Sequence, residues 1–202
     1  MPGVTNHRLK DIVEKYKHKY RVGARAETLS YSQAQSLHDS IERAALSEFA
    51  EGKRHPHQCR IPAHSLRQFA RQLLSQSESL ERVQSFAALH QMIVDVAVDV
   101  WKIGELTVYD TAYRIGAYLG LRPELVYLHR GTREGARALG FRKLRATLRK
   151  SDLPAEFTDL EPAEIEDCLC IFKNDLRKLG SLSNGNSLRD GRARISPRDQ
   201  RC

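Results

Sequence analysis

The stretch VQSFAALHQMIVDVAVDVW, from Val83 to Trp101, decides between an all-α fold and one that contains a sheet. Its apolar residues recur at the i, i+3, i+4 and i+7 spacing of an amphipathic helix. Residues 92–101 also alternate and are rich in valine, as strands are. Because no neighbouring segment has the pattern of a pairing strand, the spacing predicts a buried helix that includes Trp101, and with it an all-α fold.

Helical patterns on both sides extend this prediction to a compact domain of about seven or eight helices. Gly23 is expected to end the first helix, Thr107 to begin a later one, and Arg122 to begin a short one. Thr158 and Glu161 have the spacing of a capping box ahead of the last apolar stripe. These signals place the helix boundaries in sequence.

The chain is expected to form one domain over residues 1–180, with a basic loop at 52–62. Residues 181–202 are polar, basic and contain glycine. A segment of this composition cannot bury enough apolar surface to offset the entropy of ordering it. We therefore predict a disordered basic tail at 181–202.

Composition bounds the class of protein. The 202 residues are 41% hydrophobic, with a net charge of +8, which is enough apolar content for a sizeable core and suggests a polyanionic partner. No apolar run is long enough to span a membrane, and the N-terminus has no apolar signal segment. We expect a cytoplasmic protein with no membrane partner, and its oligomeric state stays open.

Cysteine and histidine give no strong metal signal. Four cysteines at uneven spacing are not a disulfide framework. Potential zinc ligands cluster near the basic loop, at His55, His57, Cys59 and His64. Their spacing matches no closed zinc pattern, so we expect no metal and no cofactor.

Positive charge is concentrated between Arg130 and Lys150. The segment LHRGTREGARAL, residues 128–139, places glycines at a helix start that Thr132 is expected to cap. Backbone N–H groups at such a start bind phosphate, and arginines add charge. The candidate nucleic-acid contacts are Arg130, Gly131, Thr132, Arg133, Gly135, Arg137, Arg142, Lys143 and Arg145. The alternative is that these glycines only end one helix and allow another to pack closely.

The segment GELTVYDTAYRIGAYLGL, from Gly104 to Leu121, contains an aspartate that admits two interpretations. If Thr107 opens the helix, Asp110 is in the first turn and stabilises the helix start. Alternatively, Asp110 is a catalytic carboxylate that the helix dipole keeps ionised, acting as a general base or electrostatic stabiliser.

Residues 108–115, VYDTAYRI, followed by LGL at 119–121, resemble the VDTHVxRIxxRLGL stretch of the helix-hairpin-helix DNA glycosylases. The resemblance implies an all-α hydrolase that flips a modified or damaged base out of double-stranded DNA and excises it. It also implies that Asp110 is the catalytic carboxylate. No lysine falls at the family's Schiff-base position, so a monofunctional glycosylase is expected.

The same helix carries the candidate substrate pocket, formed by Tyr109, Tyr113, Tyr118 and Arg114. The tyrosines would stack on a flipped base, and Arg114 would pair with Asp110 or with phosphate. Two other functions stay open at this point. One is a non-catalytic nucleic-acid-binding module that uses the 130–150 basic patch, and the other is an all-α protein-interaction or regulatory domain.

Overall fold

A computed structural model describes residues 7–48, 54–55 and 58–185. These residues form ten α-helices and two short strands, so the predicted all-α class is confirmed. The helices are α1 His7–Lys19, α2 Arg21–Ser32, α3 Leu37–Leu46, α4 Ala63–Leu74, α5 Ser77–Glu81, α6 Phe86–Ala97, α7 Glu105–Leu119, α8 Arg130–Ala138, α9 Pro162–Ile171 and α10 Lys173–Gly185. The strands are β1 Val126–Tyr127 and β2 Thr147–Leu148.

The segment in doubt between helix and strand is helical. The side chain of Ser85 accepts a hydrogen bond from the backbone N–H of Ala88 at 3.2 Å and caps α6. The helix ends at Ala97, and a turn follows over 98–102. The prediction that Trp101 continues the buried stripe is therefore wrong, because 61% of its surface is exposed.

The described residues bury two hydrophobic clusters. The first lies among α3, α4, α6 and α7, with Phe69, Leu89 and Ile115 fully buried. The second lies among α1, α8, α9 and α10 together with the two strands. Helix α7 belongs to the first cluster and α9 to the second, and residues of both helices line one cavity.

Several predicted boundaries differ from the structure. Gly23 does not break the chain but lies inside α2. Arg122 begins no helix; the segment after it forms β1, in which Val126 pairs with Leu148 in an antiparallel register. Val126 is fully buried in this strand pair. Because valine favours strands and its apolar side chain is removed from water here, the short strand pairing is preferred over an exposed helix.

The start of α9 is also shifted. The capping box consists of Glu161 and Glu164, with Pro162 in the first turn, so Thr158 is not the cap. The last helix continues to Gly185, five residues beyond the predicted domain end at Gly180. Residues 186–202 of the predicted tail, and residues 52–53 and 56–57 of the predicted loop, lie outside the described residues. Within the described chain, every helix is too short or too polar to cross a membrane.

Candidate active site

Asp110 is not at the start of its helix. Helix α7 begins at Glu105, and Gly104 precedes it in extended conformation. Asp110 is thus the sixth residue of the helix, beyond the first turn in which a carboxylate meets free N–H groups. The interpretation of Asp110 as a helix-start residue is wrong, because Thr107 does not open α7. Instead, the Asp110 carboxylate accepts a hydrogen bond from the side-chain amide of Gln58.

Three further carboxyl groups line a cavity of about 100 Å³ together with Asp110. Glu166 and Asp167 project from α9, and Asp110 projects from α7. Helix α2 closes the remaining side with Glu27, Thr28 and other residues. Burying carboxylates costs free energy unless cations or donors compensate them, so four of them around one cavity require an explanation.

Asp167 has a strongly perturbed acidity. Burial, followed by the nearby charge of Glu166, raises its pKa from 3.8 to about 8. A hydrogen bond of 2.9 Å from the Tyr16 hydroxyl to Oδ2 acts in the opposite direction. Since the raised pKa exceeds neutral pH, Asp167 is mostly protonated there and can donate a proton.

Glu166 is paired with His129. The Nδ1 atom of His129 accepts the backbone N–H of Gly131 at 3.2 Å and caps α8. This bond assigns the ring proton to Nε2, which donates to Oε1 of Glu166. Burial raises the pKa of Glu166 well above its ordinary value, and the charge of Asp110 adds to the effect. Thr132, the predicted cap, instead donates its hydroxyl to the His129 carbonyl.

Cys170 approaches this pair, and the donor atoms of His129, Glu166 and Cys170 lie within 4.8 Å of one another. Nitrogen, oxygen and sulfur donors of this kind suit zinc. Both ring nitrogens of His129 are already engaged, however, one by a backbone N–H and the other by Glu166. A neutral imidazole has no free lone pair left in this arrangement. The geometry therefore favours a capping and positioning role for His129.

Arg114 supplies the positive charge of the cavity. Its guanidinium lies 3.7 Å from Glu27 and 5.4 Å from the centre of the Tyr31 ring. The side chain is 6% exposed, and its Nη1 atom has no hydrogen-bond partner among the described residues. Because an unpartnered buried donor is costly, Nη1 is a group that a bound ligand would satisfy.

The three tyrosines of α7 have different positions. Tyr109 and Tyr113 line the cavity, with nearly parallel rings whose centres are 6.1 Å apart. Tyr109 is almost fully buried, whereas Tyr113 is partly exposed and accepts a hydrogen bond from Thr28 at 3.2 Å. Tyr118 is not among the residues that line the cavity. Of the predicted stacking residues, Tyr113 is thus the one placed to meet a ligand.

A groove of about 470 Å³ continues from the cavity. The two spaces share Thr28, Tyr113 and Asp167, so Asp167 lies at their junction. Arg122, which is exposed, lines the groove farther along the chain from α7. A volume of this size falls within the range of sites that hold small molecules or a single nucleotide.

The predicted phosphate-binding segment is only partly accessible. Gly131, Thr132 and Gly135 are buried, and the two glycines face α9. A Cβ atom at Gly131 would lie 2.8 Å from Sγ of Cys170, and one at Gly135 would lie 2.9 Å from the carbonyl carbon of Leu169. Close helix packing therefore accounts for these small residues.

The charged members of the same segment differ in accessibility. Arg133 forms a two-pronged ion pair with Glu105. The other predicted cations are exposed: Arg130, Arg137, Arg142, Lys143 and Arg145. These exposed side chains are the part of the predicted set that a polyanion can reach.

The histidine cluster near the basic loop is divided. His55 is buried and lies 3.1 Å from the Tyr31 hydroxyl. His64 is exposed and stacks on Trp101. His57 lies outside the described residues. The expectation that this cluster binds no metal stays a prediction.

Sequence patterns had not singled out Glu166 and Asp167. Both follow Ile165 in a helix that is apolar on more than one side, and two acids in such a helix are the signal that would have identified them. Comparison of the chain with models of protein families found no match, and comparisons with curated proteins and with solved structures found no significant match either.

Proposed function

We propose that this protein acts on DNA as a monofunctional glycosylase that excises a modified or damaged base. One observation carries the proposal: Asp110 and Asp167, from two different helices, line one cavity that continues into a nucleotide-sized groove. A carboxyl group with perturbed acidity, as at Asp167, is typical of catalytic sites, where the local environment sets the acid and the base.

The chemistry assigns different roles to the two carboxyl groups. Asp167, with a pKa of about 8, gives its proton to the leaving base as the bond between the sugar and the base nitrogen breaks. Asp110 acts as the carboxylate that stabilises the positive charge developing on the sugar and accepts a proton from the attacking water. Water adds to the anomeric carbon, so the products are a free base and an abasic sugar.

The surroundings of the cavity support this assignment. Tyr113 borders both the cavity and the groove and offers its ring as a stacking surface. Arg114 brings an unsatisfied donor that a base carbonyl or ring nitrogen would accept. The net charge of +8 favours association with the DNA backbone.

The test is base release from duplex DNA that carries uracil, hypoxanthine or alkylated bases, followed by alkali to cleave abasic sites. We expect Asp110→Asn and Asp167→Asn to lower the rate by about a hundredfold or more while leaving DNA affinity unchanged. Asp95→Asn is the matched control, because Asp95 is exposed and bonds only its helix neighbour Gln91 among the described residues. Equal activity in all three variants would disprove the catalytic assignment.

The five exposed cations of the basic patch favour a second candidate, a nucleic-acid-binding module without catalysis. In that case the protein binds DNA with a steep dependence on salt and releases no base from any substrate. Arg137→Gln would then weaken binding, whereas Asp110→Asn would have no effect on function.

A further inference from the structure

Trp101 is a large aromatic side chain left in solvent. It lies in the turn between α6 and α7 and is 61% exposed, beside Val98, which is 77% exposed. Its indole is nearly parallel to the ring of His64 on α4, with the ring centres 5.9 Å apart and the planes at 6°. The Nζ atom of Lys102 lies 5.1 Å from the centre of the indole. Trp101 is thus held flat against His64, with the Lys102 ammonium group over the indole ring.

Helix α4 extends this surface with positive charge. His64, Arg67 and Arg71 are exposed on one side of α4, because the opposite side buries Leu66 and Phe69 in the core. At about 1.5 Å per residue, His64 and Arg71 are separated by about 10 Å along the helix. Helix α4 contains no acidic residue. No ion pair of Arg67 or Arg71 occurs among the described residues.

We propose that this face, formed by Trp101, Lys102, His64, Arg67 and Arg71, binds single-stranded nucleic acid. A fixed aromatic ring next to a row of cations is the arrangement on which bases stack while phosphates meet positive charge. Asp99, exposed on the same turn, is the nearest acid in sequence, and it leaves the face with an excess of positive charge. Charge complementarity therefore favours a polyanion with planar bases as the partner. An apolar protein surface, or one with few acidic residues, would not match the positive charge of this face.

Chemistry at Asp110 is not needed for this binding. The face consists of residues from α4 and the turn after α6, and none of them lines the cavity between α2, α7 and α9. Loss of base release in Asp110→Asn would leave the stacking face intact. Failure of either proposal is therefore distinguishable from failure of the other.

The chain contains a single tryptophan, so its fluorescence reports on this face alone. The full chain is titrated with a mixed-sequence DNA strand of about 12 nucleotides. We expect saturable quenching of Trp101, weakened by salt. Polyphosphate, which has charge but no bases, should compete without the same quenching. Binding of the strand with no change in fluorescence would overturn the proposal, as would equal quenching by polyphosphate.

Affinity for a dye-labelled strand separates stacking from charge. We expect Trp101→Ala to weaken binding by about 5- to 150-fold and Trp101→Phe to keep most of the affinity. Arg67→Gln should make the salt dependence of binding shallower by about 0.7 in the log–log slope. Arg82→Gln removes an 80% exposed arginine outside both patches and is the charge-matched control, which should leave the affinity unchanged. Arg130→Gln tests the other basic patch. An affinity that depends on Arg130 but not on Trp101 or Arg67 would overturn the proposal. Preferential binding to lipid vesicles, or no binding to any nucleic acid, would overturn it as well.

Discussion

The hydroxyl group of Tyr16 in α1 donates a hydrogen bond of 2.9 Å to Oδ2 of Asp167 in α9. Tyr16 is fully buried, and burial together with the charge of Asp167 raises the pKa of its hydroxyl far above the ordinary value. Tyr16 therefore stays a donor at all physiological pH values. Because it occupies Oδ2, the proton of neutral Asp167 belongs on Oδ1, which gives the carboxyl group a defined orientation.

Replacing Asp167 should change how stability depends on pH. Its folded-state pKa of about 8 lies above the ordinary 3.8, so between these values the folded protein holds a proton that the unfolded chain has lost. Stability is then greatest at low pH and falls as pH rises, by up to about 1.4 kcal/mol per unit. Asp167→Asn cannot ionise and lacks this decline.

Urea unfolding of both proteins at several pH values measures the effect. The Asn variant should gain stability relative to the natural protein as the pH increases from about 4 to about 8. Asp95→Asn, at an exposed site, serves as the control and should follow the natural protein throughout. Parallel curves for Asp167→Asn and the natural protein would contradict the raised pKa.

Removing the hydroxyl of Tyr16 should raise the pKa of Asp167 further. The hydrogen bond from Tyr16 favours the ionised carboxyl group, so Tyr16→Phe removes the contribution that opposes burial. Carbon-13 NMR of the aspartate side chains as a function of pH detects the shift. Tyr20→Phe, at the residue between α1 and α2, is the matched control, since no hydrogen bond of its hydroxyl occurs among the described residues. A lower or unchanged pKa in Tyr16→Phe would refute this account.

The fold class could be predicted because periodicity is a local property. Met92–Ala97 alternates like a strand, but its spacing also fits a helix. Because no other segment had the pattern of a pairing strand, the helix was predicted, and the structure has α6 there. The predicted helix boundaries were wrong where tertiary contacts outweigh local sequence signals. Gly23 is a weak helix former, but α2 passes through it, and Val126 entered a strand because Leu148 lies opposite.

Of the residues around the candidate site, the sequence pointed only to those on α7. Asp110 and Tyr113 were identified from one short segment, and the structure brings both to the cavity. Their partners on α9 lie more than fifty residues later along the chain. No local pattern relates Asp167 to Asp110, because only the tertiary fold brings α2, α7 and α9 around one cavity.

Two glycine substitutions should have opposite effects on stability. A Cβ atom at Gly135 would overlap the backbone of Leu169 in α9, so Gly135→Ala forces the helices apart at a cost of about 1 to 3 kcal/mol. Gly23, in exposed helix α2, has nothing within 4 Å of an added Cβ. Gly23→Ala should therefore stabilise the protein by about 0.5 to 1 kcal/mol.

Chemical denaturation of the two variants side by side provides the measurement, and each is the control for the other. Both add one methyl group to a helix, so helix propensity alone predicts a gain in each. Equal stabilisation by the two substitutions would mean that α8 does not pack against α9 at Gly135.

Glu164 is a charged residue whose replacement should destabilise the fold. Its carboxylate accepts hydrogen bonds from Arg21 at 2.7 Å and Arg25 at 2.9 Å, as well as from the backbone of Glu161 at 3.1 Å. Burial raises its pKa, but the bonds from Arg21 and Glu161 outweigh burial and the net pKa is lowered. Glu164→Gln should destabilise the protein at pH 7 by about 2 kcal/mol, since it loses the charge that holds both arginines.

The pH dependence distinguishes this ion pair from simple packing. A lowered carboxyl pKa contributes stability above the unfolded value, here 4.5, which is lost as the pH falls through the folded value. The gap between Glu164→Gln and the natural protein should thus be full at pH 7 and shrink below about pH 4.5. Glu78→Gln is the control, because Glu78 is 88% exposed and 3.8 Å from Arg82, a surface pair worth less than about 1 kcal/mol. A gap for Glu164→Gln that stays constant down to acid pH would mean that the shape of this side chain, and not its charge, joins α9 to α2.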